Sequence, residues 1–312
     1  MRYFLPLTLL LAITVACHNP AATGVSVNSA FRPLIPPDTR ALAAADLDRL
    51  KASAFYKRHQ AELNFPLLDA TSERLGLDPR RDLSDVLIAC NGKESAILAR
   101  GRFEQQALEP KLLSFGLRRE QYRGYTLFGD NRNALAFAKH GVAVAGTADT
   151  VRGELDLQSN GGGGVPDELR ALLAATPKDA QIWAVTRGEL GVPEMLMRSD
   201  IESALSNFTG YVRGATFGMW FDAGTHVAAD IFCVSDQGAQ RVRDGLRGGI
   251  GLARLTTRDN EWDLLRLYDS IQVSQEQQTI HVKADFSASL TDKLLTYLPQ
   301  IRNRAGAVLR QR

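Results

Sequence analysis

The side chains able to do chemistry are few and widely scattered. Five histidines stand at positions 18, 59, 140, 226 and 281 of a 312-residue chain. No two have the close helical spacing of a zinc-protease motif, and no carboxylate cluster accompanies them. His226 and His281 fall on expected strands, where they could meet across a sheet; half-buried or surface strand positions are the plainer reading. His59, among Lys57, Arg58 and Gln60, reads as a solvated helix end. Serine nucleophiles need a device that exposes and activates the hydroxyl, and neither Gly-x-Ser-x-Gly nor Ser-x-x-Lys occurs. The acidic pairs Asp46/Asp48 and Glu154/Asp156 are two residues apart, so on a helix they point in different directions and read as solvated. The chain reads as non-enzymatic, with no catalytic residue, metal site or cofactor expected.

Cysteine chemistry leaves two readings open. Cys90 and Cys233 each end an expected hairpin strand. They are either buried small apolar residues or the two ends of a bridge, which requires Cα atoms about 4.4–6.8 Å apart. Cys17 has a different setting, directly after an apolar run.

That run begins behind Arg2 and extends from Phe4 to Ala16, interrupted only by Pro6, Thr8 and Thr14. As a helix, Tyr3–Ala16 would span about 21 Å, short of the ~30 Å hydrocarbon core, so the layout is that of a signal peptide rather than a membrane span. The end, Thr14-Val15-Ala16-Cys17, resembles the lipobox of bacterial lipoproteins, with Thr14 where Leu is commonest. The resemblance implies cleavage after Ala16, a diacylglyceryl thioether on Cys17, and acylation of the new amino group. Several acyl chains give stable anchoring without a spanning helix. His18 follows in place of the Asp that often retains lipoproteins at the inner membrane, so the resemblance favours the outer membrane, facing the periplasm. Ordinary secretory cleavage after Ala16 is the alternative.

Residues 17–36 lack a helical or strand period, hold prolines, and read as a lipidated tether. The body then divides into a first half (37–160), a Gly-rich connector with a short helix (161–175) and a second half (176–312). Four consecutive glycines at 161–164 mark a loop, and no Lys-Ser/Thr follows to make it a phosphate loop.

Both halves show the same order of elements. A Pro/Asp turn leads to a strand, a helical stretch, a hairpin, a second helix, further strands and a closing helix. Asn91-Gly92 between apolar runs is a strong hairpin signal. The second half counters with Ala215–Phe221 and His226–Cys233; its helical stretch carries Pro193, Met195, Ile201 and Leu205. Thr147 and Ser287 are suited to cap the closing helices. Identities at an offset of 141 are sparse: Pro36/Pro177, Asp38/Asp179 and Ala43/Ala184. Hairpin-joined strands imply an α+β fold of two similar halves, each an antiparallel sheet with helices packed on one face. The stretch Gly76–Val86 with Ile88-Ala89 resembles uncharacterised predicted lipoproteins of environmental bacteria, a resemblance that carries no chemistry.

The charge balance sharpens the functional classes. Lys and Arg number 37 against 35 Asp and Glu, net +2, which lacks the concentrated positive field of a nucleic-acid binder. The basic tail at 301–312 reads as a frayed helix end. The expected function is that of a lipid-anchored envelope protein offering a binding or scaffold surface to an envelope protein or polymer. The competing readings are an envelope hydrolase with its site between the halves and a solute-binding lipoprotein.

Overall fold

A computed structural model describes residues 24–61, 72–73, 76–130, 132–188, 208–258 and 260–295. The expected signal peptide, Ala16, Cys17, the helix around Met195–Leu205 and the basic tail lie outside the described residues.

Twelve strands alternate with helices along the chain. They are β1 (Ala41–Asp46), β2 (Leu83–Cys90), β3 (Ser95–Gly101), β4 (Arg118–Tyr122), β5 (Tyr125–Gly129), β6 (Asn133–Ala138), β7 (Val142–Thr147), β8 (Ile182–Arg187), β9 (Val212–Phe221), β10 (Gly224–Cys233), β11 (Ile271–Glu276) and β12 (Thr279–Ser287). The described helices are α1 (Leu47–Ala52), α2 (Ala54–His59), α3 (Pro79–Asp82), α4 (Gln105–Ser114), α5 (Ala148–Asn160), α6 (Asp167–Ala175), α7 (Asp236–Thr256), α8 (Trp262–Ser270) and α9 (Ala288–Leu295).

All twelve strands join one antiparallel sheet, in the order β11-β12-β10-β9-β8-β1-β2-β3-β7-β6-β5-β4. The fold is α+β and antiparallel, as the hairpin chemistry implies. Two separate sheets were expected; instead β1 and β8 pair and fuse them. Outward from that seam the order is β1-β2-β3-β7-β6 on one side and β8-β9-β10-β12-β11 on the other. The seam is apolar: Leu42 faces Val185, Ala43 faces Ala184 and Ala44 faces Trp183.

Helices lie on both faces rather than one. Side chains alternate along a strand, so Leu42, Leu87, Leu98 and Val144 share a face and are fully buried or nearly so. Over them pack Val151 and Leu155 of α5 and Leu169 and Leu173 of α6. The opposite face of the β5–β6 region meets Leu108 and Leu112 of α4 through Phe128, Leu135 and Phe137. In the second half Ile231, Ile280, Val282 and Val273 receive Ala239 and Val242 of α7. The other face of β10 and β12 carries His226, Asp230, His281, Lys283 and Asp285, the polar-out side of a sheet with one solvated face.

Two expectations about loops are corrected. Residues 24–36, expected within the tether, are a core segment: Val27, Phe31, Leu34 and Ile35 are 3% exposed or less. Their side chains complete the core under α5 and α6, and Val25 donates its amide to the Thr176 carbonyl. The four glycines, expected as a flexible connector, are built in. Gly161 caps α5 in the left-handed region at φ 71°. Gly164 donates its amide to Ile35, and a Cβ on Gly163 would lie 2.0 Å from the Pro33 carbonyl oxygen.

Candidate functional site

Two short helices follow β1 because the sequence caps each in turn. The Asp46 carboxylate accepts the Arg49 amide at 2.9 Å and starts α1. Ser53, in extended backbone, stops α1 and accepts the Tyr56 amide at 3.1 Å to start α2. One side of α1 is fastened to the turn before β8, where the Arg49 guanidinium donates to the carbonyl of Asp179 at 3.0 Å. The other side turns Leu47 and Leu50 toward a cavity.

That cavity is an apolar groove of about 460 Å³, within the ~300–1,000 Å³ range of small-molecule sites. Leu47, Leu50, Phe55 and Tyr56 form one wall, and Leu294 and Leu295 of α9 form the other. Ile182, Phe221 and Phe286, at the ends of three strands, make the floor. Phe55 stacks on Phe221 with ring centroids 4.4 Å apart and planes 13° from parallel. The two threonine hydroxyls in the lining are satisfied locally, since that of Thr291 lies 3.0 Å from Thr225 and 3.1 Å from the Ser287 carbonyl. Between α2 and α9, which both contribute to the lining, His59 Nε2 meets Asp292 Oδ1 at 2.7 Å, with Arg58 on the same carboxylate at 3.4 Å.

The N-terminal segment arrives at this end of the sheet. Gly24 bridges Pro177, five residues before Ile182 of the groove floor. From Cys17 to Gly24 is seven residues, a reach of at most about 25 Å.

The histidines are placed differently from expectation. His59, expected at a solvated helix end, is buried at 4% exposure against Asp292. His226 and His281 do not meet. His226 stands opposite Asp285, with Nδ1–Oδ1 2.6 Å and its Nε2 2.8 Å from Asp222; His281 stands opposite Asp230 at 2.7 Å. Two His-x-x-x-Asp runs on antiparallel neighbours thus pair reciprocally. Burial pulls the His226 pKa down, but the hydrogen bonds and charges of Asp285 and Asp222 outweigh it and hold it above the ordinary value. Trp220 stacks on His226 at 5.2 Å. No cluster of three or more potential metal ligands occurs among the described residues.

Cys90 and Cys233 are both free thiols. Cys233 is fully buried, and burial raises its pKa. Cys90 is half-buried beside a cavity of about 350 Å³ that also meets Glu94 and Glu154. Asp46 is a helix cap, and Asp156 accepts the Tyr122 hydroxyl at 2.8 Å. Glu154, expected in solvent, is 1% exposed with no hydrogen-bond partner on either oxygen, and burial pushes its pKa up to about 8.

Sequence reasoning missed the groove. Its signal was there in apolar residues at strand ends, Phe221 and Phe286, beside the capped apolar pair Leu47 and Leu50.

No family model matches this chain, and no curated protein matches it. Among solved structures the chain is similar to TP0453. To crystal form III of that protein it is 9% identical with a TM-score of 0.50, over 88% of this chain and 98% of that one. To crystal form I it is 10% identical with a TM-score of 0.45 over the same shares. At this identity the likeness to form III is one of fold.

Proposed function

We propose that this chain is a lipid-anchored protein of the bacterial envelope, outer membrane in preference to inner, that binds an apolar ligand in the groove between α1–α2 and α9. The observation that carries the reading is the groove itself, walled chiefly by leucines and phenylalanines, with its two threonine hydroxyls bonded to each other. Burying a ligand's apolar surface there gains about 25 cal/mol per Å² before the costs of association. The lipobox-like Thr14-Val15-Ala16-Cys17 supports the anchor, and a short reach from Cys17 to Gly24 holds the groove end of the sheet near the bilayer.

The groove is lined from both halves, by residues 47–80 of the first and 182–295 of the second, so it stands where the competing readings also put a site. The two halves are joined by the β1–β8 ladder, five residue pairs that are apolar but for Thr186. Closing two lobes on a solute would require shearing that ladder, which counts against a solute-binding protein that works by lobe closure.

Two experiments test the proposal. Labelled palmitate should enter the wild-type protein in cells and be absent from Cys17→Ala; equal labelling of both removes the anchor. The soluble Cys17→Ala protein should bind a fluorescent acyl probe, and Leu50→Trp, which fills the groove, should abolish binding. Undiminished binding by a folded Leu50→Trp protein removes the groove.

A further inference from the structure

The groove is not uniformly apolar along its length. At the α1–α3 end its wall includes Lys51 and Arg80, and no Asp or Glu lines it among the described residues. Both long side chains lend aliphatic stems to an apolar wall while their charged ends reach the rim. They come from separate elements brought together by β2: the Lys51 ammonium donates to the Leu83 carbonyl at 2.8 Å, and Arg80 lies three residues before Leu83. Asp48 at 3.1 Å from Lys51 and Asp78 at 3.1 Å from Arg80 steady these cations from outside the lining. The α9 wall, at Leu294 and Leu295, brings no charge to the lining.

Size limits the occupant as firmly as charge. A methylene is close in volume to a water molecule, whose share of the liquid is about 30 Å³. A groove of about 460 Å³ therefore has room for one acyl chain of roughly fifteen carbons.

We infer that the groove takes a single free fatty acid, its chain running toward Leu294 and Leu295 and its carboxylate at the rim beside Lys51 and Arg80. This rests on the groove being a ligand site, as proposed above, and adds the class of ligand. The tail is held by burial of its methylenes, each contributing about 0.8 kcal/mol before association costs. The head is held by charge-assisted hydrogen bonds from an ammonium and a guanidinium. A neutral long-chain alcohol would keep the first contribution and lose the second. A diacyl phospholipid in a bilayer would have a chain with no place in the groove.

The test is competition against a fluorescent fatty acid on the soluble Cys17→Ala protein. Palmitate should displace the probe, hexadecanol should do so roughly tenfold more weakly, and phosphatidylglycerol vesicles should fail. Lys51→Gln and Arg80→Gln should each weaken palmitate by roughly threefold and leave hexadecanol unchanged. Should either variant fold poorly, salt serves on the parent protein, since added salt should weaken palmitate and not hexadecanol. Equal displacement by palmitate and hexadecanol, insensitive to salt, overturns the anionic head while leaving the groove standing. Displacement by vesicles as good as by palmitate overturns the single-chain ligand in favour of a bilayer lipid. Failure of the probe to bind at all removes the groove reading and this inference with it.

Discussion

His59 and Asp292 lie 233 residues apart in sequence and 2.7 Å apart in space, a contact that ties α2 to α9, two of the helices that line the apolar groove. The imidazole is buried at 4% exposure, and the carboxylate also receives Arg58. Removing the carboxylate takes a partner from a buried polar ring, which costs about 1–3 kcal/mol. Asp292→Ala should lower the urea midpoint accordingly, with the slope unchanged. It should also quicken release of a groove-bound acyl probe, because the two walls lose their tie. Unaltered stability and unaltered release would mean that the contact holds nothing together.

The four glycines separate into structural and replaceable positions. A methyl on Gly163 would meet the Pro33 carbonyl oxygen at 2.0 Å, whereas one on Gly164 would have nothing within 4 Å. Relieving the first clash moves the segment that buries Phe31, Leu34 and Ile35. Gly163→Ala should therefore destabilise by about 1–3 kcal/mol, the range for forced overpacking, and Gly164→Ala by less than about 0.5 kcal/mol. Thermal melts of the two single variants check this; matched melting points would return the glycines to the status of a plain linker.

Local chemistry made much of this fold readable, and long-range packing hid the rest. Thr147 and Ser287 do accept amides at the starts of α5 and α9, and the chain turns at Asn91-Gly92 between β2 and β3, because these signals need no distant partner. Turns at Arg123-Gly124 and His140-Gly141 divide the stretch from Arg118 to Gly129 and that from Asn133 to Thr147 into two strands each. Arg123 and His140 take positive φ, which is uncommon for any residue with a side chain. Residues 24–36 bury apolar side chains at irregular spacing, so no period reveals them. The strand orders on the two sides of the seam run alike over five strands, and their registers drift apart away from it. Through the central pair Ala43–Ala184, one rung runs to Ile88, Ile97, Ala145 and Leu135, and its counterpart to Phe217, Ala229, Val282 and Val273. The offset is 141 at the centre and already 129 between Ile88 and Phe217 on the next strands. Self-comparison at one spacing therefore catches the seam alone. The groove draws on helices near both ends of the described chain, and His59 met its partner only in three dimensions.

The reciprocal pairs on β10 and β12 make His226 a reporter of the open sheet face. Asp285 and Asp222 hold opposite nitrogens of its ring and raise its pKa against the pull of burial. A raised histidine stabilises the fold fully below its unfolded value, and that contribution fades as pH rises through the folded value. Asp285→Asn should bring the His226 titration, followed by NMR of the ring protons, to lower pH. A His226 titration indifferent to Asp285 would mean the pair does not persist in solution.

Glu154 should give the protein a stability that declines with pH. Its carboxyl is enclosed on α5 with no hydrogen-bond partner, and the neighbouring cavity is lined by Asp38, Glu94 and Asp149 with no Lys or Arg among the described residues. Burial raises its pKa from 4.5 to about 8. Between those values the folded chain keeps a proton that the unfolded chain releases, so rising pH favours unfolding. The contribution is fully present below about pH 4.5 and lost as pH rises through about 8. Each pKa unit is worth 1.36 kcal/mol, which bounds the loss at roughly 5 kcal/mol. Glu154→Leu removes the titration and replaces an unpartnered polar group with an apolar one of similar volume. Urea unfolding at pH 5, 7 and 9 should show the variant gaining on wild type as pH rises, with the larger part of the gain appearing between pH 5 and neutrality and little of it beyond about pH 8. A constant difference at every pH would show that Glu154 finds a partner or water in solution and titrates as an ordinary carboxylate.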